Sequence, residues 1–271
     1  ATGMITSATK AADPDTTGYR LVHGENDGMP GLVADRYDTT VVVKLYTAAW
    51  LPHLDTVVGE LVGLTRAERV VLRLARTVQS DPYAAGHRDG SVLYGPPLTG
   101  PVPFLERGLV LEADVANGQK TGHFLDQRDN RQLVRGMASG RSVLDVFAST
   151  GGFALAAAAG GAVSVHLVDV SEPALATARR NLDHNRHLAA VSRCAFEFTA
   201  GDAFDVLDAL GRSAPDAYDL IVVDPPSFAH NQAAVDRALR AYRRLTRLAL
   251  PLLRRGGTLV QCSCSSRVTP T

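Results

Sequence analysis

The sequence predicts an α/β protein: a parallel sheet of βαβ units in the C-terminal part, preceded by a small α+β domain. Three observations carry this. From Asp126 onward, short apolar runs alternate with amphipathic stretches of helical length, the pattern of strands joined by crossover helices. Before that point, β-branched runs are separated by turn residues, first Asp38-Thr39-Thr40 and later the Gly/Pro-rich stretch 95–103. Finally, 271 residues at 45% hydrophobic content, with no low-complexity tract, are enough for two cores.

Residues 1–18 are small and polar and read as a tail, with order starting near Tyr19. The small domain is expected over 19–105 and the sheet domain over 106–271. In the first, 32–37 and 41–46 form a hairpin, and Trp50, Leu54, Val57, Val58 and Leu61 fall at helical spacing. Strands at 70–75, 91–94 and 109–115 complete the unit, with 95–103 as a connection. In the second, strands are expected at 142–147, 164–169, 196–200, 220–224 and 257–262, and helices at 128–138, 153–160, 172–186, 203–211 and 233–254. Ser171 is an N-cap, and Pro173 lies in the first turn, where a missing N–H costs little.

Charge narrows the function classes. Lys+Arg and Asp+Glu balance at 28 each, which argues against a protein that coats nucleic acid everywhere by bulk charge. The segment from Asn231 onward nevertheless holds eight arginines against the single acid Asp236. Arg237, Arg240, Arg244 and Arg247 share one helix face, either an ordinary solvated face or a contact for phosphates. Three cysteines make no disulfide framework and point to a reducing cytoplasm. Neither a membrane span nor a secretory signal is found, and His184, His187 and His230 lack metal-ligand spacing, so no metal is expected.

The chemistry gathers at strand ends. Residues 143–153 run from a strand through a Gly151-Gly152 turn into an alanine-rich helix, where glycine lets a ligand approach the backbone. This is not the G-x-G-x-x-G dinucleotide fingerprint, and Asp145 at the strand exit suits a cationic ligand better than a pyrophosphate. The next two strands end at Asp169, placed for a ribose hydroxyl pair, and at Asp202, an acceptor for an adenine amino group. A single strand-end Asp is as often a cap or turn former; three in succession favour an adenosyl ligand. Two further strands end at Asp224-Pro225-Pro226 and at Ser263-Cys264-Ser265, setting a stiffened carboxylate beside a thiol.

With these blocks in order, the sequence resembles the class I S-adenosylmethionine-dependent methyltransferases, and most closely the ribosomal RNA large subunit methyltransferase I family, which makes 5-methylcytosine. The resemblance covers roughly 19–268. It rests on 24–32 (GENDGMPGL), 118–128 (GQKTGHFLDQR), the 145–153 turn, Asp224-Pro225-Pro226-Ser227-Phe228 and Cys262-Ser263-Cys264-Ser265. It implies a Rossmann-like methyltransferase sheet and S-adenosyl-L-methionine as the methyl donor. By that resemblance the donor is held by Lys120, Thr121, Asp126, Gln127 and Arg128, by Asp145, Phe147, Thr150, Gly151 and Gly152, and by Asp169, Asp202, Asp224 and Pro225. The loop 118–128 offers cations and hydroxyls able to meet either the donor's carboxylate or an RNA phosphate.

Cys264 is then expected to be the catalytic nucleophile, with Asp224 holding the base and Pro226 and Phe228 contacting it. The alternative for Cys264 is a packed strand-end thiol. The partner implied is RNA, ribosomal RNA first, with no membrane and no metal; a homodimer is compatible. Against the family's pattern, there is no room before Tyr19 for its usual RNA-binding PUA module, and the chain stops at Thr271, so the sheet is expected to lack its last strands. Two other readings stay open: a weak or inactive donor- or RNA-binding relic, and an amino-group methyltransferase using the Asp-Pro-Pro loop.

Overall fold

The computed structural model describes residues 14–228 and 235–263. It divides into two compact units, residues 1–128 and 129–271.

The first unit contains β1 (Gly18–His23), β2 (Leu32–Tyr37), β3 (Thr40–Leu45), α1 (Leu54–Thr65), β4 (Arg69–Leu74), the single turn α2 (Arg76–Gln79) and β5 (Val92–Tyr94). These strands form one sheet in the order β1-β2-β3-β4-β5, in which only the β3–β4 pair is parallel. Two inner strands carry its core: Val41, Val42 and Val43 on β3 and Val70, Val71 and Leu72 on β4 are fully buried. Continuous β-branched runs of this kind fit a strand covered on both faces. Leu54 and Leu61 of α1 join the core cluster on this sheet.

A separate antiparallel pair follows, β6 (Val102–Glu106) and β7 (Leu109–Ala113). Backbone bonds from Thr17 N to Leu105 O and from Gly108 N to Asp15 O, both 2.8 Å, tie this hairpin to the start of the described chain. The boundary between the two compact units falls after Arg128, and the hairpin lies in the first of them. The expected connection 95–103 overlaps β6 at Val102 and Pro103; a two-stranded pair tolerates proline because each strand needs its N–H groups on one side only.

The second unit follows the alternation predicted for it: α3 (Arg128–Met137), β8 (Ser142–Val146), α4 (Gly152–Ala159), β9 (Ser164–Asp169), α5 (Glu172–His184), α6 (Ala189–Arg193), β10 (Ala195–Ala200), α7 (Ala203–Ser213), β11 (Tyr218–Val223), α8 (Val235–Ala249) and β12 (Leu253–Gln261). All its strands are parallel, in the order β10-β9-β8-β11-β12. This is the expected Rossmann-like sheet. Helix α4 is buried from Phe153 to Ala158, and its small side chains permit close packing. A Cβ at Gly160, just past its end, would lie 2.0 Å from Arg135 O of α3.

Local signals explain the helix ends. Ser171 accepts from Ala174 N and caps α5, as its sequence suggests. The last helix stops at Ala249 instead of 254, because Pro251 has no N–H to continue it, and the chain makes a short 3-10 turn before β12. The short helix α6 lies in a stretch the periodicity left unassigned.

Candidate active site

Strands β9 and β10 lie to one side of β8, and β11 and β12 to the other, so the chain reverses its direction of travel between β8 and β11. In open α/β sheets ligands bind at the carboxyl ends of the strands at this switch point. Asp145 sits there on β8, paired in register with Val222, and Asp224 follows β11 with its N–H on Val146 O at 3.3 Å. Asp169 ends the neighbouring strand β9.

Asp145 is 1% exposed. Its Oδ2 accepts from Ala154 N in the first turn of α4 at 3.0 Å, while its Oδ1 meets no hydrogen-bond donor among the described residues. Burial, then the charges of Asp224 and Asp169, push its carboxyl up to about 7; the Ala154 N–H and the Arg131 cation pull the other way. A buried carboxylate with an open acceptor and two acidic neighbours is a place that favours a cation.

The turn from β8 into α4 is conformationally costly. Phe147, Ser149 and Gly151 all take positive φ, at 65°, 49° and 76°. For the two non-glycine residues this stores about 1–3 kcal/mol each. The turn is held from several sides. Ser149 N donates to Asp169 Oδ2 at 2.8 Å, and the buried Asn181 of α5 donates to Thr150 O at 2.8 Å. A Cβ at Gly151 would lie 2.7 Å from that of Ala178, and one at Gly152 would lie 3.0 Å from Arg131 Cδ.

The other expected donor residues divide into groups. Asp169 Oδ1 also accepts from Ser171 N at 2.8 Å, so this carboxylate organises two turns as well as facing the strand end. Asp202 caps α7 through Oδ1, which accepts from Phe204 N and Asp205 N. Pro225 is buried and Pro226 exposed. Phe228 packs edge-on against Tyr242 of α8, with ring centroids 5.3 Å apart. Next to β11, Cys262 N donates to Val223 O at 2.9 Å, and Ser263 Oγ donates to Tyr242 Oη at 3.3 Å. Cys264 and His230 lie outside the described residues. Lys120, Thr121, Asp126 and Arg128 line a cavity of about 430 Å³ in the first unit, and Gln127 is buried beside them in sequence.

Three contributors escaped the sequence reading. Arg131 is 4% exposed and acts on Asp145. Its spacing from the buried Val134 was the available signal, since i and i+3 share a face. Ser149 and Asn181 hold the turn, and no local pattern marks either. On α8, Arg237, Arg240, Arg244 and Arg247 are exposed, with the Arg244 guanidinium 4.6 Å from the Phe204 ring. Among the described residues no group of histidines, cysteines and acids could hold a metal ion, and no helix is long and apolar enough to cross a membrane.

A family model described as S-adenosylmethionine-dependent methyltransferase matches residues 19–271. A Deinococcus radiodurans protein named ribosomal RNA large subunit methyltransferase is 46% identical over 255 residues, covering 94% of this chain. A Pseudoalteromonas translucida protein named ribosomal RNA large subunit methyltransferase I is 36% identical over 253 residues, covering 92% of this chain. The chain spans 61% of the length of each of these relatives. Among solved structures, that of SMU.776 complexed with SAH superposes with a TM-score of 0.79 at 27% identity, covering 97% of this chain and 66% of that one. An Agrobacterium tumefaciens SAM-dependent methyltransferase, at 20% identity and a TM-score of 0.66, covers 95% of this chain and 75% of its own and shares the fold.

Proposed function

The chain belongs to the S-adenosylmethionine-dependent methyltransferase family, and on that premise we propose that it methylates ribosomal RNA at carbon 5 of a cytosine, with Cys264 as nucleophile. The observation that carries the donor half is Asp145, a buried carboxylate with an open acceptor at the switch point. The RNA half draws on the relatives' names and on the Asp224-Pro225-Pro226 and Cys264 blocks.

The residues fit the donor. S-adenosylmethionine carries an ammonium and a sulfonium, and when bound it supplies an electrophilic methyl group. Asp145 would take the ammonium, Asp169 the ribose hydroxyls, and Asp202 the adenine amino group while it caps α7. The Gly151-Gly152 turn lets backbone N–H groups approach the ligand, and Arg131 moderates the acidic field behind it.

The remaining work falls to the chain's own side chains. Carbon 5 of cytosine is a weak nucleophile. The Cys264 thiolate adds to carbon 6, and the electron pair displaced toward carbon 5 makes that carbon able to attack the methyl group, whose bond to sulfur would break and leave a neutral thioether. A base then takes the carbon-5 proton, the ring double bond re-forms and the thiolate leaves. Asp224 holds the amino edge of the base, on a loop that Pro225 and Pro226 stiffen. The cytosine must leave its stack to be reached, so a single-stranded or flipped target is expected.

The test is incubation with S-adenosylmethionine and unmodified 23S rRNA, with 5-methylcytosine read by mass spectrometry beside Cys264→Ala. Product that disappears in the variant supports the reading. A 5-methylcytosine yield unchanged by Cys264→Ala refutes the nucleophile, and methylation of an exocyclic amino group instead assigns the chemistry to the Asp224 loop.

A further inference from the structure

The first unit carries a cavity lined in part by Lys120, Thr121, Asp126 and Arg128, residues that the family resemblance gives to the donor. Its walls include Tyr19, Arg20, His23, Tyr46, Lys120 and Arg128. The three permanent cations face one acid of the lining, Asp126, which pairs with Lys120 at 3.1 Å.

One cation is held in place from within the fold. Asp35 is 1% exposed and receives Arg20 Nε at 2.8 Å, Arg20 Nη2 at 3.0 Å and the Thr121 hydroxyl at 2.6 Å. This bidentate pairing fixes the guanidinium plane while the Arg20 side chain stays 34% exposed. A guanidinium fixed this way loses little entropy when its remaining N–H groups meet a phosphate or a base edge. The aromatic component is equally available. Tyr46 is 52% exposed, with Lys44 Nζ 5.4 Å from its ring centroid, and the same ammonium donates to Lys120 O at 3.0 Å, tying the ring to the loop.

We propose that this cavity is a nucleotide subsite for single-stranded RNA, in which Tyr19 and Tyr46 stack on a base and Arg20, Lys120 and Arg128 meet the flanking phosphates. Aromatic platforms beside cations are how single strands are held without sequence readout. The proposal rests on RNA being the substrate. It gives the 118–128 loop the phosphate-binding role that its composition allowed, in place of a role toward the donor's carboxylate.

The experiment is fluorescence anisotropy of a labelled single-stranded RNA oligonucleotide against the full chain, Tyr46→Ala and Lys120→Gln, at several salt concentrations. Donor affinity of the chain and of Tyr46→Ala is measured by calorimetry. Tyr46→Ala is expected to weaken RNA binding about 5- to 100-fold with donor affinity unchanged. Lys120→Gln is expected to flatten the salt slope by about 0.7. RNA affinity and slope unchanged in both variants overturn the subsite. So does a Tyr46→Ala protein that keeps RNA affinity and loses donor affinity, which would assign the cavity to the donor. Parallel 23S rRNA methylation separates the two readings: a chain that forms 5-methylcytosine while both variants bind RNA normally loses the subsite alone.

Discussion

Replacing Asp145 with Asn should make the protein more stable and a poorer binder of its donor, and pH should separate the two effects. Burial and the neighbouring Asp224 and Asp169 raise this carboxyl from 3.8 to about 7. The folded state therefore holds a proton that the unfolded chain has released anywhere between those values. Asp145 contributes stability that is full below pH 3.8 and is lost as pH rises through 7. The shift is worth about 4 kcal/mol in all, of which about 3 kcal/mol falls between pH 5 and pH 8. Asn keeps a carbonyl for Ala154 N and carries no charge, so urea unfolding should show Asp145→Asn gaining on the parent by about 3 kcal/mol across that range.

Donor binding should move the opposite way. A cationic ligand favours the ionised carboxylate, so parental affinity should rise about tenfold from pH 6 to pH 8, with proton release visible as a buffer-dependent heat. In Asp145→Asn the affinity should be low and flat with pH. Parental affinity independent of pH over this range, with no relative gain in the variant's stability at pH 8, would refute the reasoning.

Other tests follow from single contacts. Gly160→Ala places a methyl 2.0 Å from Arg135 O and should cost about 1–3 kcal/mol in urea unfolding, through overpacking of α3 against α4. Asp169→Ala removes the acceptor of Ser149 N and Ser171 N, at about 1–3 kcal/mol for each donor left unpaired. Its donor affinity, read by calorimetry, should fall more than the affinity of a variant at the exposed Arg237. His166 bridges Tyr218 Oη and Thr199 Oγ1, both at 2.8 Å, and burial lowers its pKa below 6.5. Its contribution is present above 6.5 and lost as pH falls through the lowered value, so His166→Gln should flatten the acidic limb of thermal stability between pH 7 and pH 5. Reversing Arg240 and Arg247 to Glu should reduce both RNA affinity and its salt slope if the exposed face of α8 meets phosphates.

Much of this molecule is written in local pattern. The alternation of apolar runs with helical stretches announces the parallel sheet, and a strand's length and exit locate Asp145, Asp169 and Asp224 at strand ends before any contact is known. Periodicity can do this because it depends on neighbours in the chain: a strand repeats every two residues and a helix every 3.6. The same locality hid β1, β6 and α6, and it extended α8 past Pro251.

What lies between elements in space was not legible. The sequence marks Asp145 as a strand-end acid; only the tertiary structure buries it, leaves Oδ1 open and sets Asp224, Asp169 and Arg131 around it, which is what moves its pKa. The sequence offers Lys120, Thr121, Asp126 and Arg128 to a ligand; only the fold gathers them with Arg20 and Tyr46, far earlier in the chain, around one cavity. Composition and spacing determine which chemistry a segment can supply. Which groups share a low-dielectric site, and therefore how strongly they act on one another, depends on distances that the chain acquires only by packing.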